Sequence, residues 1–322
     1  MKNIDIKDIK GFKVGNAEDV SGGTGVTVII CEKGATAGVD VRGGGPATRE
    51  TDLLKPENMI QEINSVTLSG GSAYGLEAAC GVMEFLEDKG IGFNVGVGIV
   101  PIVCGASLFD LVVGSPKARP DKAMGKKACE NANASDVGFQ CGNHGAGTGA
   151  TIGKYLGIER MIKSGLGAHA VEIGDLQCGA IVVVNALGDV FDHETGKQLG
   201  GILTEDKSKF DSTERLVLED MAKEKNVFSG NTTIGCVITN GKLTKAQCTK
   251  LASIVHDGYA RSIKPVHTSA DGDTIFVMTT GEVEVNPDAL GALATKIMSI
   301  AIETAVKEAT PAYGLKASRD II

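Results

Sequence analysis

Short apolar segments alternate with segments of helical periodicity along most of the chain. Strands are predicted where β-branched and other apolar residues run together or alternate with polar ones. They cover residues 26–31, 36–41, 65–68, 99–103, 168–173, 179–185 and 274–279, a turn and strand at 187–190, and a stretch that opens at Thr232. The first two are expected to be two strands paired with each other.

Helices are predicted for segments whose apolar residues recur at helical spacing, which are 73–89, 120–133, 212–223, 245–261 and 287–308. Ser212 is expected to cap the third, and Pro287 lies in the first turn of the last. Because strands and helices are mixed throughout, the sequence predicts one α/β domain over residues 1–322. The polar stretch 223–231 is interpreted as a processing loop rather than a domain boundary.

Composition excludes several classes of protein. A chain of 322 residues with 42% hydrophobic and 22% charged residues can form a large core. The net charge of −8 argues against nucleic-acid binding. We expect no membrane span, because no apolar run reaches the roughly 18 residues that one needs.

The cysteines and the N-terminus bear on the compartment. The 8 cysteines are widely spaced, without a C-x-x-C pair, and most have apolar neighbours, so free buried thiols are expected. The first residues have no apolar signal core. We therefore expect a reducing, cytoplasmic environment.

The segment Gly230-Asn231-Thr232-Thr233-Ile234 carries the most specific chemistry. Cleavage between Asn231 and Thr232 would give Thr232 a hydroxyl nucleophile and a free α-amine, whose pKa near 7.7–8.0 suits it as the base for that hydroxyl. The alternative is an ordinary strand that begins with β-branched residues.

Two glycine-rich segments are candidate substrate-binding loops. Residues 145–150 fit G-x-G-x-x-A, but a polar stretch precedes them where a dinucleotide-binding fold needs a strand, so a pocket loop that includes Gly147 is favoured. Residues 69–74 open a helix, where free N–H groups could hold a substrate carboxylate beside Ser72 and Tyr74. Simple capping by Ser72 is the alternative.

Polar residues at the ends of other segments add candidates for catalysis. Asp271 and Asp273 could orient a new ammonium group, although turn formation also explains them. Asn185 ends an apolar strand and could donate to an oxyanion or form a turn. Lys154, which follows the glycine loop, is a further candidate for the site. The alternative is a solvated surface lysine. The five histidines are scattered without metal-ligand spacing, so no metal site is predicted.

Taken together, these segments resemble the DmpA-type aminopeptidases. This family of self-processing N-terminal-nucleophile hydrolases includes L-aminopeptidase/D-esterases, β-peptidyl aminopeptidases and nylon-oligomer hydrolases. The resemblance covers nearly the whole chain. It is most specific at residues 41–46, 49–51, 68–76, 145–154, 184–189 and 231–234.

The resemblance implies an αββα sandwich, shared with the ornithine acetyltransferases, and a homotetramer of processed chains 1–231 (α) and 232–322 (β). Thr232 matches the nucleophile and Asn231 the residue before the cut. Asn185 matches an asparagine at the oxyanion, and Lys154 a lysine near the nucleophile. The acidic positions near the new terminus match Asp271 and Asp273. The Asn-Thr pair resembles the nylon-hydrolase branch.

The activity implied is hydrolysis of short peptides or non-standard amides through an acyl-enzyme on Thr232, without a cofactor. Two other functions remain open at this point. One is acyl transfer of the ornithine acetyltransferase type, although the Ala-Thr-Met-Leu run typical of those enzymes is absent. The other is an unprocessed relative that binds a small ligand without catalysis.

Overall fold

The computed structural model describes residues 1–134, 138–221 and 230–322. Ten strands form its main sheet system: Lys2–Ile4 (β1), Lys13–Asp19 (β2), Thr24–Val41 (β3), Ala47–Arg49 (β4), Glu62–Ser69 (β5), Val103–Ser107 (β6), Leu166–Ile173 (β7), Leu176–Asn185 (β8), Thr232–Gly241 (β9) and Thr274–Val283 (β10). They are hydrogen-bonded in the order β1-β7-β8-β9-β10-β3-β5-β6-β4, and β2 also pairs with β3.

The helices are Ala78–Asp88 (α1), Lys122–Ala132 (α2), Thr213–Glu219 (α3), Lys245–Ser262 (α4) and Pro287–Glu308 (α5). Short strand pairs lie at Phe93–Asn94 with Ile99–Val100 and at Thr151–Ile152 with Ile162–Lys163. A small three-stranded sheet is formed by Asp189–Phe191, Gln198–Gly200 and Ile263–Lys264. Single 3₁₀ turns occur at Ile6–Asp8, Asp52–Leu54, Gly145–Gly147 and Ser318–Asp320, and a longer 3₁₀ helix at Ser72–Glu77.

Strand β3 connects two halves of the sheet system. Its first half pairs with β2 and β5, and its second half, from Thr36 to Val41, pairs with β10. The prediction of two strands paired with each other is therefore wrong. Gly34, with φ +87°, lies where the pairing with β5 shifts register, so the chain bends there without reversing.

Three apolar clusters show the layers. One joins α4 and α5 to β8, β9 and β10, and another joins α1 and α2 to β3 and β6. The third lies between the two halves of the sheet system and brings residues of β5 and β6 against residues of β8, β9 and β10. Helices thus cover both outer faces of two packed sheets, and the predicted αββα sandwich is confirmed.

Helix ends follow local sequence signals closely. Helix α5 begins and ends where predicted, with Asn286 accepting hydrogen bonds from the first turn. Ser212 caps α3 as expected, while residues 222 and 223 of that prediction and most of the proposed processing loop lie outside the described residues. Among the described helices, α5 alone is long and apolar enough to cross a membrane, and 67% of its apolar window is buried inside the protein.

Two predicted elements differ from the structure. The segment 73–89 starts as 3₁₀ helix, and Ser72, with φ +56°, does not cap it through its side chain. The segment 99–103 is split between the Ile99–Val100 hairpin and β6, because Pro101 cannot donate to a ladder.

Candidate active site

The candidate site lies where β8 ends and β9 begins. These strands are antiparallel neighbours, and their register places Asn185 directly opposite Thr232. Thr232 is only 5% exposed and Asn185 is fully buried. The apolar residues that bury both strands therefore hold the two polar side chains together at the ends of two neighbouring strands inside the sheet.

The Asn185 amide is held from three sides. Its Oδ1 accepts from Lys154 Nζ at 2.8 Å and from the Thr151 N–H at 3.0 Å, while its Nδ2 donates to Phe109 O at 3.0 Å. Because two donors face Oδ1 and an acceptor faces Nδ2, the orientation of the amide is unambiguous. Nδ2 has a second N–H, for which the described residues provide no further acceptor.

Lys154 links Asn185 to the segment before Thr232. Its ammonium nitrogen also donates to Gly230 O at 3.0 Å. Burial lowers the pKa of Lys154 to about 7, and the negative charges of Asp271 and Asp110 oppose that shift. Lys154 is not a surface lysine, and at neutral pH it can lose its proton.

The carbonyl oxygen of Asn231 accepts hydrogen bonds from two residues of the site. The Thr232 hydroxyl donates to it, and the Gly272 N–H donates to it at 2.9 Å. A Cβ on Gly272 would lie 2.8 Å from Thr232 Oγ1 and 3.0 Å from Gly45 O. Gly272 is a site residue that our sequence analysis missed, because only its backbone takes part.

The two aspartates have different partners. Asp271 accepts from the N–H and hydroxyl of Thr268, and its backbone pairs with Asn231. Burial, with the charge of Asp273, raises the pKa of Asp271 to about 6. Asp273 accepts from the Thr233 N–H at 2.8 Å and from His267.

The loop at residues 42–46 (Arg-Gly-Gly-Gly-Pro) packs against the segment that contains Asp271 and Asp273. The N–H groups of Arg42 and Gly45 donate to Asp273 O and Asp271 O, at 2.9 and 2.8 Å. A Cβ on Gly43 would lie 2.3 Å from Asp271 O, so only glycine allows this approach. The loop thereby supports the backbone that carries Gly272.

Ser72, Tyr74 and Gly147 make their contacts with other parts of the chain. The Ser72 N–H donates to Leu108 O at 2.8 Å, and Gly147 is buried with its carbonyl bonded to Lys163 Nζ. The Tyr74 ring is 58% exposed and lies beneath the Arg119 guanidinium. Within the described residues no hydrogen bond joins these three to Thr232, and substrate binding by them stays a prediction.

No group of three or more histidine, cysteine or acidic residues within residues 1–134, 138–221 and 230–322 could hold a metal ion. The site instead combines a hydroxyl, an amide, a lysine with a lowered pKa and backbone N–H groups. Such a set can activate a nucleophile and stabilise an oxyanion at a carbonyl.

Comparison with known families identifies the chain. Residues 5–318 match the model of peptidase family S58. The chain belongs to this family. An uncharacterized aminopeptidase of Mycobacterium leprae (strain TN) is 42% identical over 296 residues, covering 88% of this chain and 80% of that protein. A 6-aminohexanoate-oligomer endohydrolase of Kocuria sp. (strain KY2) is 31% identical, covering 93% and 85%. The expected family and hydrolase class are confirmed.

Solved structures similar to this S58 member agree on the fold. The L-aminopeptidase D-Ala-esterase/amidase of Ochrobactrum anthropi, a variant of the Ntn hydrolase fold, superimposes with a TM-score of 0.68 at 18% identity, over 94% of this chain and 86% of that one. A β-aminopeptidase of Burkholderia sp. gives 0.65 at 19% identity, over 97% and 89%.

Proposed function

We propose that this S58 hydrolase cuts its own chain between Asn231 and Thr232 and then hydrolyses amides with Thr232 as an N-terminal nucleophile. One observation carries the proposal. The hydroxyl of Thr232 and the N–H of Gly272 both contact the carbonyl oxygen of Asn231, inside a buried site. A nucleophile and an oxyanion donor therefore meet at a single peptide bond.

Self-cleavage proceeds through an ester. Thr232 Oγ1 attacks the Asn231 carbonyl carbon, and negative charge develops on the oxygen that faces the Gly272 N–H. The C–N bond then breaks, and the hydroxyl proton ends on the released amine. Water hydrolyses the ester, which leaves a carboxylate on Asn231 and a free hydroxyl and amine on Thr232. The products are chains 1–231 and 232–322.

Amide hydrolysis then repeats this chemistry on a substrate. The α-amine of Thr232 takes the proton of its own hydroxyl, Oγ1 attacks the substrate carbonyl carbon, and the substrate C–N bond breaks as the leaving amine receives that proton. Water then hydrolyses the acyl-enzyme ester and releases the acid. The remaining Nδ2–H of Asn185, opposite Thr232 in the neighbouring strand, stabilises the oxyanion together with backbone N–H groups. Lys154 keeps Asn185 oriented through its bond to Oδ1.

We propose short peptides and linear, non-standard amides as the substrate class. The support is twofold. Relatives that cover most of the chain are named as aminopeptidases or as 6-aminohexanoate-oligomer endohydrolases. The Asn-Thr pair at the cut also resembles the second group.

Two further expectations join the proposal. A reducing cytoplasm is supported by all eight cysteines being free thiols. Association of copies, which the proposed homotetramer requires, is supported by the apolar hairpin at 93–100, where Val97 is 99% exposed, since contiguous exposed apolar patches mark protein–protein interfaces. Native mass spectrometry would give the number of copies.

The test is the intact mass of the denatured protein beside its Thr232→Ala variant. We expect two fragments from the natural chain, the second beginning at Thr232, and one uncut species from the variant. A panel of aminoacyl amides and 6-aminohexanoate oligomers then gives the substrate preference of the cut protein. A natural chain that persists as one 33.2 kDa species without amidase activity would contradict the proposal.

A further inference from the structure

His267 has an unusual backbone close to the site. Its φ is +59°, in the left-handed region that costs a non-glycine residue roughly 1–2 kcal/mol. Strained conformations of this kind persist where the surrounding structure holds them, and they cluster at functional sites.

The conformation directs two donors of His267 onto one carboxylate oxygen. The backbone N–H lies 3.1 Å and Nδ1 2.8 Å from Asp273 Oδ2. Because an ionised carboxylate only accepts, the ring proton is assigned to Nδ1. The other oxygen of Asp273 accepts from the Thr233 N–H at 2.8 Å. Asp273 therefore connects His267 to the residue that follows the nucleophile.

Packing holds the ring in this position. The His256 ring lies 4.7 Å away, edge-on, and the Tyr259 ring 6.0 Å away, nearly parallel. Both belong to α4 and are fully buried. The side chain of His267 is 18% exposed and that of Asp273 only 1%. A carboxylate this buried has little water to replace a lost partner.

We propose that His267 is a positioning residue for the S58 reaction, which holds Asp273 so that it anchors Thr233 and keeps Thr232 aligned with its target carbonyl. The inference rests on the proposed function of Thr232. Without the Nδ1 donor, Asp273 Oδ2 keeps the longer bond from the His267 backbone N–H at 3.1 Å, so the carboxylate is held less firmly and the anchor at the start of β9 weakens. Misplacement of a nucleophile by about 1 Å can cost a hundredfold in rate.

Three substitutions separate the donor from the backbone strain. In His267→Asn an amide replaces the ring nitrogen as donor, and asparagine tolerates positive φ. His267→Gly removes both donor and strain. His267→Phe keeps a ring without a donor and increases the strain. His267→Gly lowers the backbone strain and His267→Phe increases it, but both lack the Nδ1 donor. A defect that the two variants share is therefore caused by loss of that donor.

The chain offers a matched control. His193 contacts Glu303 in the same manner: its backbone N–H donates to Glu303 Oε1 at 3.1 Å, and its Nδ1 lies 2.5 Å from the same oxygen. That pair joins the residues after the Asp189–Phe191 strand to α5, and within the described part of the chain neither His193 nor Glu303 is hydrogen-bonded to Asp273 or Thr233. His193→Phe therefore tests what loss of a similar pair does to stability alone.

The experiment follows the rate of appearance of fragment 232–322, then kcat and KM of the matured protein and its thermal unfolding. We expect self-cleavage and kcat to fall about tenfold or more in the Gly and Phe variants, with KM little changed, and the Asn variant to stay within about threefold of wild type. His193→Phe should lower the unfolding temperature and leave both rates unchanged. Wild-type rates in His267→Phe, or equal defects in Asn and Gly, would overturn the role of His267. A wild-type chain that neither cuts itself nor hydrolyses amides would overturn the proposed function instead.

Discussion

Asn185 and Thr232 are opposite residues of two antiparallel strands, the last residue of β8 and the first of β9. Directly opposed residues in such a pair have Cβ atoms about 4.5–5.5 Å apart, whatever their side chains. The sheet itself therefore sets the distance between the amide and the hydroxyl.

The first prediction concerns the amide N–H groups of Asn185. In Asn185→Asp the acceptor for Lys154 and Thr151 remains, but the donor is lost. We expect kcat to fall by about 10²–10³, the usual cost of removing one oxyanion donor. Steady-state kinetics on the matured enzyme would measure this.

A similar asparagine provides its control. Asn240, near the other end of β9, accepts from the Gln177 N–H at 2.8 Å and donates to Asp175 O at 2.9 Å. Asn240→Asp should lower stability and leave kcat nearly unchanged. Full activity of the Asn185→Asp enzyme would show that the amide donor is not used.

The second prediction concerns Gly272. In Gly272→Ala the new methyl group would lie 2.8 Å from Thr232 Oγ1, so the hydroxyl or the loop must move. We expect self-cleavage to slow by about a hundredfold or more, because the nucleophile loses its alignment. The mass spectrum of the denatured protein at timed intervals gives the rate. Gly98→Ala is the control, since a Cβ there meets nothing within 4 Å. Equal cleavage rates in the two variants would contradict the placement of Gly272.

The third prediction concerns the pH dependence of stability. Burial lowers the pKa of Lys154 and of Lys163 to about 7, from an ordinary value of 10.5. Between those values the unfolded chain binds more protons than the folded one, so stability rises with pH. Each lysine contributes a slope of up to about 1.4 kcal/mol per pH unit.

Denaturant titrations at a series of pH values would measure this slope. They should be made in the Thr232→Ala chain, so that self-cleavage does not mix species. The window is about pH 7 to 9, because above it buried thiols reverse the trend: burial raises the pKa of Cys104 and Cys178 to about 12, from 9.0. Adding Lys154→Met and Lys163→Met should reduce the increase of the free energy of unfolding with pH. An unchanged slope would mean that neither lysine is protonated differently on folding.

Helices were predictable because their signals are local. Asn286 and Pro287 mark the start of α5, and an unbroken apolar face runs to its end. Strand β3 was not predictable as one element, because Lys33-Gly34 has the composition of a turn. Only its pairing with different strands on either side of Lys33-Gly34 shows that one strand continues through these residues.

The site was predictable in part. Motifs carried the prediction of Thr232, Asn185, Lys154 and the two aspartates, and the structure places these polar side chains close together. Gly272 contributes a backbone N–H, which any residue possesses, so composition could suggest only a turn. His267 lies six residues before Asp273, a separation with no regular meaning until the positive φ brings the two together.

After a cut between Asn231 and Thr232, β9 and β10 would both lie in the shorter product. Both strands belong to residues 232–322, yet β9 is hydrogen-bonded to β8 and β10 to β3, which belong to residues 1–231. The shorter product would thus be wedged between two strands of the longer one. Breaking one covalent bond would create two polypeptides that still unfold as a single cooperative unit and could be separated only by denaturing both.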